Sequence, residues 1–364
     1  MPDDCLEHGL ALLPGICAGL LLSGLFLLCP PLSMAKDPFL INPDGSILAG
    51  NQQFQGMEEY VLSDYFREQG KRCGTSTPVA EIDQQAAGAI ADCTLRVTRI
   101  RDEYWLSGAP VTLPVWFHVV YRSDGTGNIA TAAINAQVKV LNEDYRAIAG
   151  TPGSQGVDSG IQFFLAGITR TQNDLWFNDE DNEGYTQALS RDPEKNINVY
   201  VNAANGYLGY ASFPQDGAGL VNDGIVMNYA AIGGRNNGYL VYDQGRTLVH
   251  EMGHYLGLHH TFEGYSACNN SYSGGDLIVD TPAEAAEHYE CVQTYTCGSR
   301  DPIRNYMNYT PDSCMTGFSK EQTNRLGCSL LNYRPALVSP GVNETVAPVA
   351  PIAPNALIPL LLRR

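Results

Sequence analysis

Positive charge is scarce in this chain. Its 364 residues carry 22 Lys and Arg against 39 Asp and Glu, a formal net charge of −17 and a pI near 4.7. Nucleic acid and anionic membrane surfaces are therefore poor partners. An acidic surface suits an exported protein and can supply oxygen ligands for calcium; otherwise it is simply solvated. Internal repeats are missing too, which excludes a solenoid or a propeller. Charge is absent altogether from residues 9 to 35, GLALLPGICAGLLLSGLFLLCPPLSMA. This reads as the apolar core of a signal peptide, broken by Pro30 and Pro31, with Ser33-Met34-Ala35 as a small-x-small cleavage signal. The expected leader is residues 1–35. Its start lacks the Lys or Arg of export signals and has Asp3, Asp4 and Glu7 instead. A retained anchor and a misassigned start are the competing readings.

At 44% hydrophobic residues the chain can bury a real core, enough for one catalytic domain of roughly 200–250 residues with accessory segments, or two modest domains. Residues 36–105 are polar and weakly periodic, with one helix-like run, AEIDQQAAGAIADCTLRVTRI. From Val111 the texture changes. VTLPVWFHVVY is a strand that ends in an Asp-Gly turn. Ile134, Val138, Leu141 and Tyr145 then recur at helical spacing. IQFFLAGITRT, NINVYVNA and DGIVMNYAAIG read as further strands, so the core is α/β. GRTLVHEMGHYLGL is a helix by pattern, and SKEQTNRLGCSLLNYR is another, capped by Ser319 with Gln322 three residues on. The end of the chain, 338–364, is a Pro- and Ala-rich tail.

Histidine is also rare, seven in all, yet four lie in HEMGHYLGLHHTFEG, His250 to Gly264. On a helix His250 and His254 face one side, one turn apart, where two imidazoles reach one zinc ion. Glu251 projects beside them and can take a proton from the attacking water and pass it to a leaving amine. A third ligand cannot come from a continuing helix. Gly257 can end it in the left-handed conformation and turn the chain back. Neighbours in an extended segment point opposite ways, so only one of His259 and His260 should face the metal. Ten cysteines complete the inventory. Cys5, Cys17 and Cys29 fall in the leader, and four of the remaining seven cluster between Cys268 and Cys314. In an exported chain that cluster reads as two disulfides, of open connectivity on sequence alone.

The full string H-E-x-x-H-x-x-G-x-x-H, with GRT before it and HTFEG after it, resembles the pappalysin family of metzincin metalloendopeptidases, in its ulilysin-like secreted bacterial and fungal branch. NYMNYTPDSCMTGFSKEQ (Asn305–Gln322) resembles that family's Met-turn segment and GGDLIVDTPAE (Gly274–Glu284) its calcium loop. The likeness runs from about Val111 to Arg334. It implies a twisted, mostly parallel five-stranded sheet with a backing helix and an active-site helix. Below these it implies a loop-rich C-terminal subdomain with the Met-turn and a C-terminal helix. It also implies a catalytic zinc on His250, His254 and His260, with His259 an exposed loop residue. Glu251 and Tyr309 become catalytic, Tyr309 as an oxyanion donor, and Met307 the Met-turn residue. Asp312 falls at the base of the S1′ pocket, favouring Arg, then Lys, at P1′. Asp276, Val279 (through its carbonyl) and Thr281 become ligands of a structural calcium. The implied disulfides are Cys268–Cys297 and Cys291–Cys314. Cys73, in RCGTS, matches the prosegment cysteine that keeps such enzymes latent; a disulfide to Cys93 or Cys328 is its competing reading. The expected organisation is thus leader 1–35, prosegment 36–105, catalytic domain 106–337 and tail 338–364. A maturation cut is expected between Cys93 and Val111, near Arg96, Arg99 and Arg101. Expected partners are protein and peptide substrates, with no nucleic acid, no stable membrane association once mature, and a monomeric state. DGIVMNYAAIG is expected to be the edge strand that pairs with substrate. A secreted metzincin-fold protein without catalysis, and a metzincin of another branch, are the alternatives.

Overall fold

The computed structural model of the chain describes residues 39–77, 92–233, 241–264 and 268–338. The expected leader, and the tail from 339 on, lie outside them. The first described residues form a small antiparallel meander of β1 (Phe39–Ile41), β2 (Ile47–Ala49) and β3 (Gln52–Phe54). Two short helices follow, Met57–Leu62 and Asp64–Glu68. The Ser63 side chain caps the second by accepting from the Phe66 N–H. Tyr60, Tyr65 and Phe66 pack this N-terminal piece into the main core.

The central sheet contains β4 (Val111–Tyr121), β5 (Ile161–Gln172), β6 (Ile197–Asn202), β7 (Gly209–Ala211) and β8 (Ile225–Asn228), in the order β5-β4-β6-β8-β7. β4 runs parallel to β5 and β6, and β6 parallel to β8; only β7 is antiparallel. Parallel neighbours need a crossover, and Thr131–Tyr145 supplies it as the backing helix between β4 and β5. Its Ile134, Leu141 and Tyr145 are buried and Val138 packs against them, as the periodicity requires. Every residue of β6 and β8 is buried, as strands covered on both faces must be. This corrects the sequence reading: β8 is not the edge of the sheet. The edge on that side is β7, three residues too short to leave a strand pattern.

The active-site helix, Arg246–Tyr255, packs against the backing helix and strands β7 and β8, with all ten residues buried. The C-terminal helix, Lys320–Tyr333, starts with the expected capping box of Ser319 and Gln322. The helix-like run 80–100 is only partly described; its residues 80–91 lie outside the described ones, and residues 92–100 are not helical. Cys93 and Thr98 form an antiparallel bridge. The Arg325 guanidinium donates to the Thr94 and Val97 carbonyls and to the Thr98 hydroxyl, which holds that stretch extended against the C-terminal helix. Cys93 is bonded to Cys328, Cys268 to Cys297 and Cys291 to Cys314, while Cys73 is free and buried. Among the described residues no helix is long and apolar enough to cross a membrane.

Candidate active site

Gly257 decides the geometry. Its φ of 88° is the left-handed conformation, and a side chain there would collide with the Ser329 hydroxyl on the C-terminal helix. The Leu258 N–H donates back to the Gly253 carbonyl (2.9 Å) and the Gly257 N–H to His254 (2.8 Å), closing the active-site helix. The chain then returns and brings His260 to the other two histidines. The three Nε2 atoms lie 3.1 Å (His250–His254), 3.3 Å (His250–His260) and 3.0 Å (His254–His260) apart. His250 Nδ1 faces the Tyr306 carbonyl and His254 Nδ1 the Leu258 carbonyl, each at 2.7 Å. Those nitrogens carry the protons, so the Nε2 lone pairs point at one another. Burial is the first cause, and the neighbouring imidazoles a further one, that hold His250 and His254 well below the usual range, hence neutral. Tetrahedral zinc with Zn–N bonds of about 2.0–2.1 Å separates its nitrogens by about 3.3–3.4 Å. The donor set fits that ion in number, type and spacing.

Cys73 completes the fourth corner: its thiol and one nitrogen of each imidazole all lie within 4.8 Å of one another. Burial above all, and then the Glu251 charge, push the thiol up. Glu251 is fully buried. Its Oε2 accepts from the Thr75 hydroxyl at 2.9 Å and the Cys73 thiol at 3.4 Å, while Oε1 has no partner. Burial pushes this carboxyl to about 7, against the lowering effect of Arg72. β7 passes close over it, and a Cβ on Gly209 would stand 2.8 Å from Glu251 Cγ. β7 also receives the incoming N-terminal segment. The Leu208 N–H donates to Lys71 O (3.0 Å), and the Gly74 N–H to Gly209 O (2.8 Å).

Met307 lies beneath the helix, where the missing side chain of Gly253 admits its sulfur; a Cβ there would come within 2.5 Å of Sδ. The Tyr309 ring centre is 5.8 Å from that of His250 and 5.0 Å from that of His260. Burial, then the charge of Cys73, raise its phenol far above the ordinary value. Asp312 is fully buried. Its Oδ2 accepts from the Gln244 and Arg246 N–H groups at the start of the active-site helix, and Oδ1 has no partner.

The calcium trio is only partly drawn together. The Thr281 hydroxyl donates to Asp276 Oδ2 at 2.7 Å, and burial pushes that carboxyl to about 7. Val279 is exposed, and its carbonyl accepts from Asn270 at 3.4 Å. His259 departs from expectation: it is buried, its ring tilted against Phe213 with centres 5.2 Å apart, and 3.4 Å from Arg325 Nη2. It turns away from the three ligands, as alternation demands, but into the crevice below the C-terminal helix rather than into solvent.

Two groups escaped the sequence reading. Thr75, two residues after Cys73 in the quoted RCGTS, holds Glu251. Glu284, His288 and Asp301 form a cluster in which His288 Nε2 lies 3.2 Å from each carboxylate. Glu284 also accepts from Thr261 and Asn308, the residues just after His260 and Met307, so this cluster brackets the two loops of the site. The i, i+4 spacing of Glu284 and His288 was its one signal.

Residues 180–330 match the peptidase M43 family, described as pregnancy-associated plasma protein-A. The chain is 36% identical over 236 residues to an extracellular metalloprotease of Colletotrichum graminicola, covering 62% of this chain and 79% of that one. It is 32% identical over 274 residues to one from Pyricularia oryzae, covering 72% and 89%. Among solved structures it is similar to mature mirolysin of Tannerella forsythia in complex with a cleaved peptide, at 30% identity, with a TM-score of 0.53 and coverage of 64% and 99%. A promirolysin mutant of the same organism matches at 26% identity and a TM-score of 0.56, over 78% of this chain and 94% of that one.

Proposed function

Because the chain belongs to the pappalysin family of metallopeptidases, we propose that it is a secreted zinc endopeptidase held latent by its own N-terminal segment and directed to bonds on the N-terminal side of arginine. The observation that carries this reading is the convergence of three imidazoles and one thiol beside a buried glutamate. His250, His254 and His260 would hold the ion. When bound, it supplies Lewis acidity toward water and the scissile carbonyl. Every other task falls to the chain. Glu251, with its carboxyl raised by burial, accepts the proton of the attacking water and returns it to the leaving amine. Tyr309 keeps its phenolic proton and donates to the oxyanion. The edge of β7 offers hydrogen bonds to an extended substrate. Asp312 receives an arginine side chain at its unpartnered oxygen, and lysine less well.

In the latent form Cys73 would take the ion's remaining position and exclude water. The wider match to a pro-form than to the mature one supports this reading. The prosegment is proposed to start at 36, after the leader, and to end before Asp92 rather than at 105. The stretch Asp92–Tyr104 is bonded to the C-terminal helix through Cys93–Cys328, Arg325 and Asn324. The catalytic domain then runs on to 337, followed by the tail. A structural calcium is proposed at Asp276, Thr281 and the Val279 carbonyl, where a cation would keep the buried carboxylate ionised. The mature enzyme is read as a monomer with protein and peptide substrates and no stable membrane association.

A digest of proteome-derived peptides by the mature enzyme tests the proposal. Cleavage should fall before Arg, vanish in Glu251→Ala, and lose its preference in Asp312→Ala. An unchanged profile in the last variant removes the specificity reading while leaving the peptidase intact.

A further inference from the structure

Glu284, His288 and Asp301 have no task in the reaction, yet they gather as ligands do. The Glu284 and Asp301 side chains are fully buried, and among the described residues their ion pairs end on His288 alone. Two buried carboxylates thus share one imidazole, which leaves negative charge in the interior even when that ring is protonated. The geometry is as crowded as the charge. His288 Nε2 lies 3.2 Å from Glu284 Oε1, 3.2 Å from Asp301 Oδ2 and 3.0 Å from the Thr294 hydroxyl. One N–H aims well at only one of two carboxylates. An octahedral ion with bonds of about 2.1 Å sets neighbouring ligand atoms about 3.0 Å apart. The three distances fit that spacing, and one donor atom of each of Glu284, His288 and Asp301 lies within 4.8 Å of the other two.

The donors are also held from behind. Both Asp301 oxygens accept from the Thr296 N–H at 3.0 Å, and Oδ1 from the Thr296 hydroxyl at 2.9 Å. The disulfides of Cys291 and Cys297 pin the two ends of the loop that carries Thr294 and Thr296. Glu284 Oε2 accepts from the Thr261 hydroxyl at 2.7 Å and from Asn308 at 2.9 Å. His288 is partly exposed, which gives an ion a way in.

We infer that Glu284, His288 and Asp301, with the Thr294 hydroxyl, form a second cation site, apart from the catalytic centre, for a divalent ion of the manganese class. Three oxygen donors to one nitrogen favour that class over zinc, and the imidazole disfavours calcium. The two carboxylates balance the ion's two charges. His288 keeps its proton on Nδ1 and offers the Nε2 lone pair, and water fills the remaining positions. Through Glu284 the ion ties the disulfide-bonded loop to Thr261 and Asn308, the neighbours of His260 and Tyr309. Its role is to hold these segments together. The inference does not depend on the peptidase reading.

Electron paramagnetic resonance of added Mn2+ tests it on the full-length protein, with the catalytic site loaded with zinc and calcium saturating. The parent should bind one Mn2+ per chain, keep its zinc, and show spin-echo coupling to an imidazole nitrogen. His288→Ala should lose that signal, and Asp301→Asn should weaken binding at least about tenfold. At a hundredfold excess over Kd, Mn2+ should raise the parent's Tm by about 5 °C and leave that of His288→Ala where it was. Three results overturn the inference: no bound Mn2+, Mn2+ bound at the expense of zinc, or bound Mn2+ without nitrogen coupling, which puts the ion among oxygens elsewhere. If the variants fail to fold, these readouts on the parent decide alone. Casein hydrolysis by the mature enzyme reports on the peptidase reading separately.

Discussion

His259 and His260 are adjacent and should respond differently to removal. His260→Ala takes away one of three metal nitrogens, so bound zinc and activity should both fall below detection, as metal analysis and a casein assay would read. His259→Ala should keep stoichiometric metal. It opens a cavity between Phe213 and Arg325, and a loss of about 2 kcal/mol should appear as a lower Tm. The convergence of His250, His254 and His260 was legible because helix spacing and one glycine dictate it locally. The burial of His259 was not, since Phe213 and Arg325 lie 46 and 66 residues away along the chain. His118 makes a separate residue-scale case. It is stacked between Trp116 and Tyr200 and bonded to Thr169 and Asn198, and burial holds it at about 4. An unfolded histidine titrates near ~6.5, so on acidification the unfolded chain gains the proton first. The contribution is whole above pH ~6.5 and fades as pH falls through 4, by up to ~3 kcal/mol. In thermal melts His118→Asn should therefore lose stability less steeply than the parent between pH 6.5 and 4. Parallel slopes would show that His118 carries none of the dependence.

Among the elements, the long ones announced themselves. β4, β5 and the backing helix carry apolar patterns over eleven or more residues, and the structure reproduces each. The edge strand did not, because three residues have no period. Its role passed to DGIVMNYAAIG, whose apolar run instead marks a strand buried between two others. The active-site helix ends where the sequence says it must, and Gly257→Ala tests how much depends on that. The left-handed φ and the clash with Ser329 together should cost about 2–4 kcal/mol. The turn carries His260, so zinc affinity should fall with stability. A variant that melts normally and holds zinc as tightly as the parent would mean that the turn can be rebuilt without glycine.

At the scale of the whole molecule, the disulfides set what a proteolytic cut can accomplish. The pairings Cys268–Cys297 and Cys291–Cys314 were available from the resemblance. Cys93–Cys328 was not, and the sequence offered these two only as rival partners of Cys73, since residues 235 apart leave no local trace. From Gly74 to Leu95 the sequence has no Lys or Arg. An arginine-directed cut at Arg96, Arg99 or Arg101 would therefore leave the N-terminal piece attached through Cys93. Trypsin-treated full-length protein should run as one species without reductant and as two with it. Release of the piece without reductant would mean that a cut falls upstream of Cys93.

The same bond has a consequence for how the molecule can be rewired. The Cα atoms of Cys93 and Cys328 are 6.1 Å apart, so the polypeptide between them is a covalent ring that contains the entire catalytic machinery. A ring has no privileged starting point. New ends opened at the solvent-exposed Asp124–Gly125 turn, with a short peptide bridging the old ones, should yield a circular permutant that still assembles its three imidazoles.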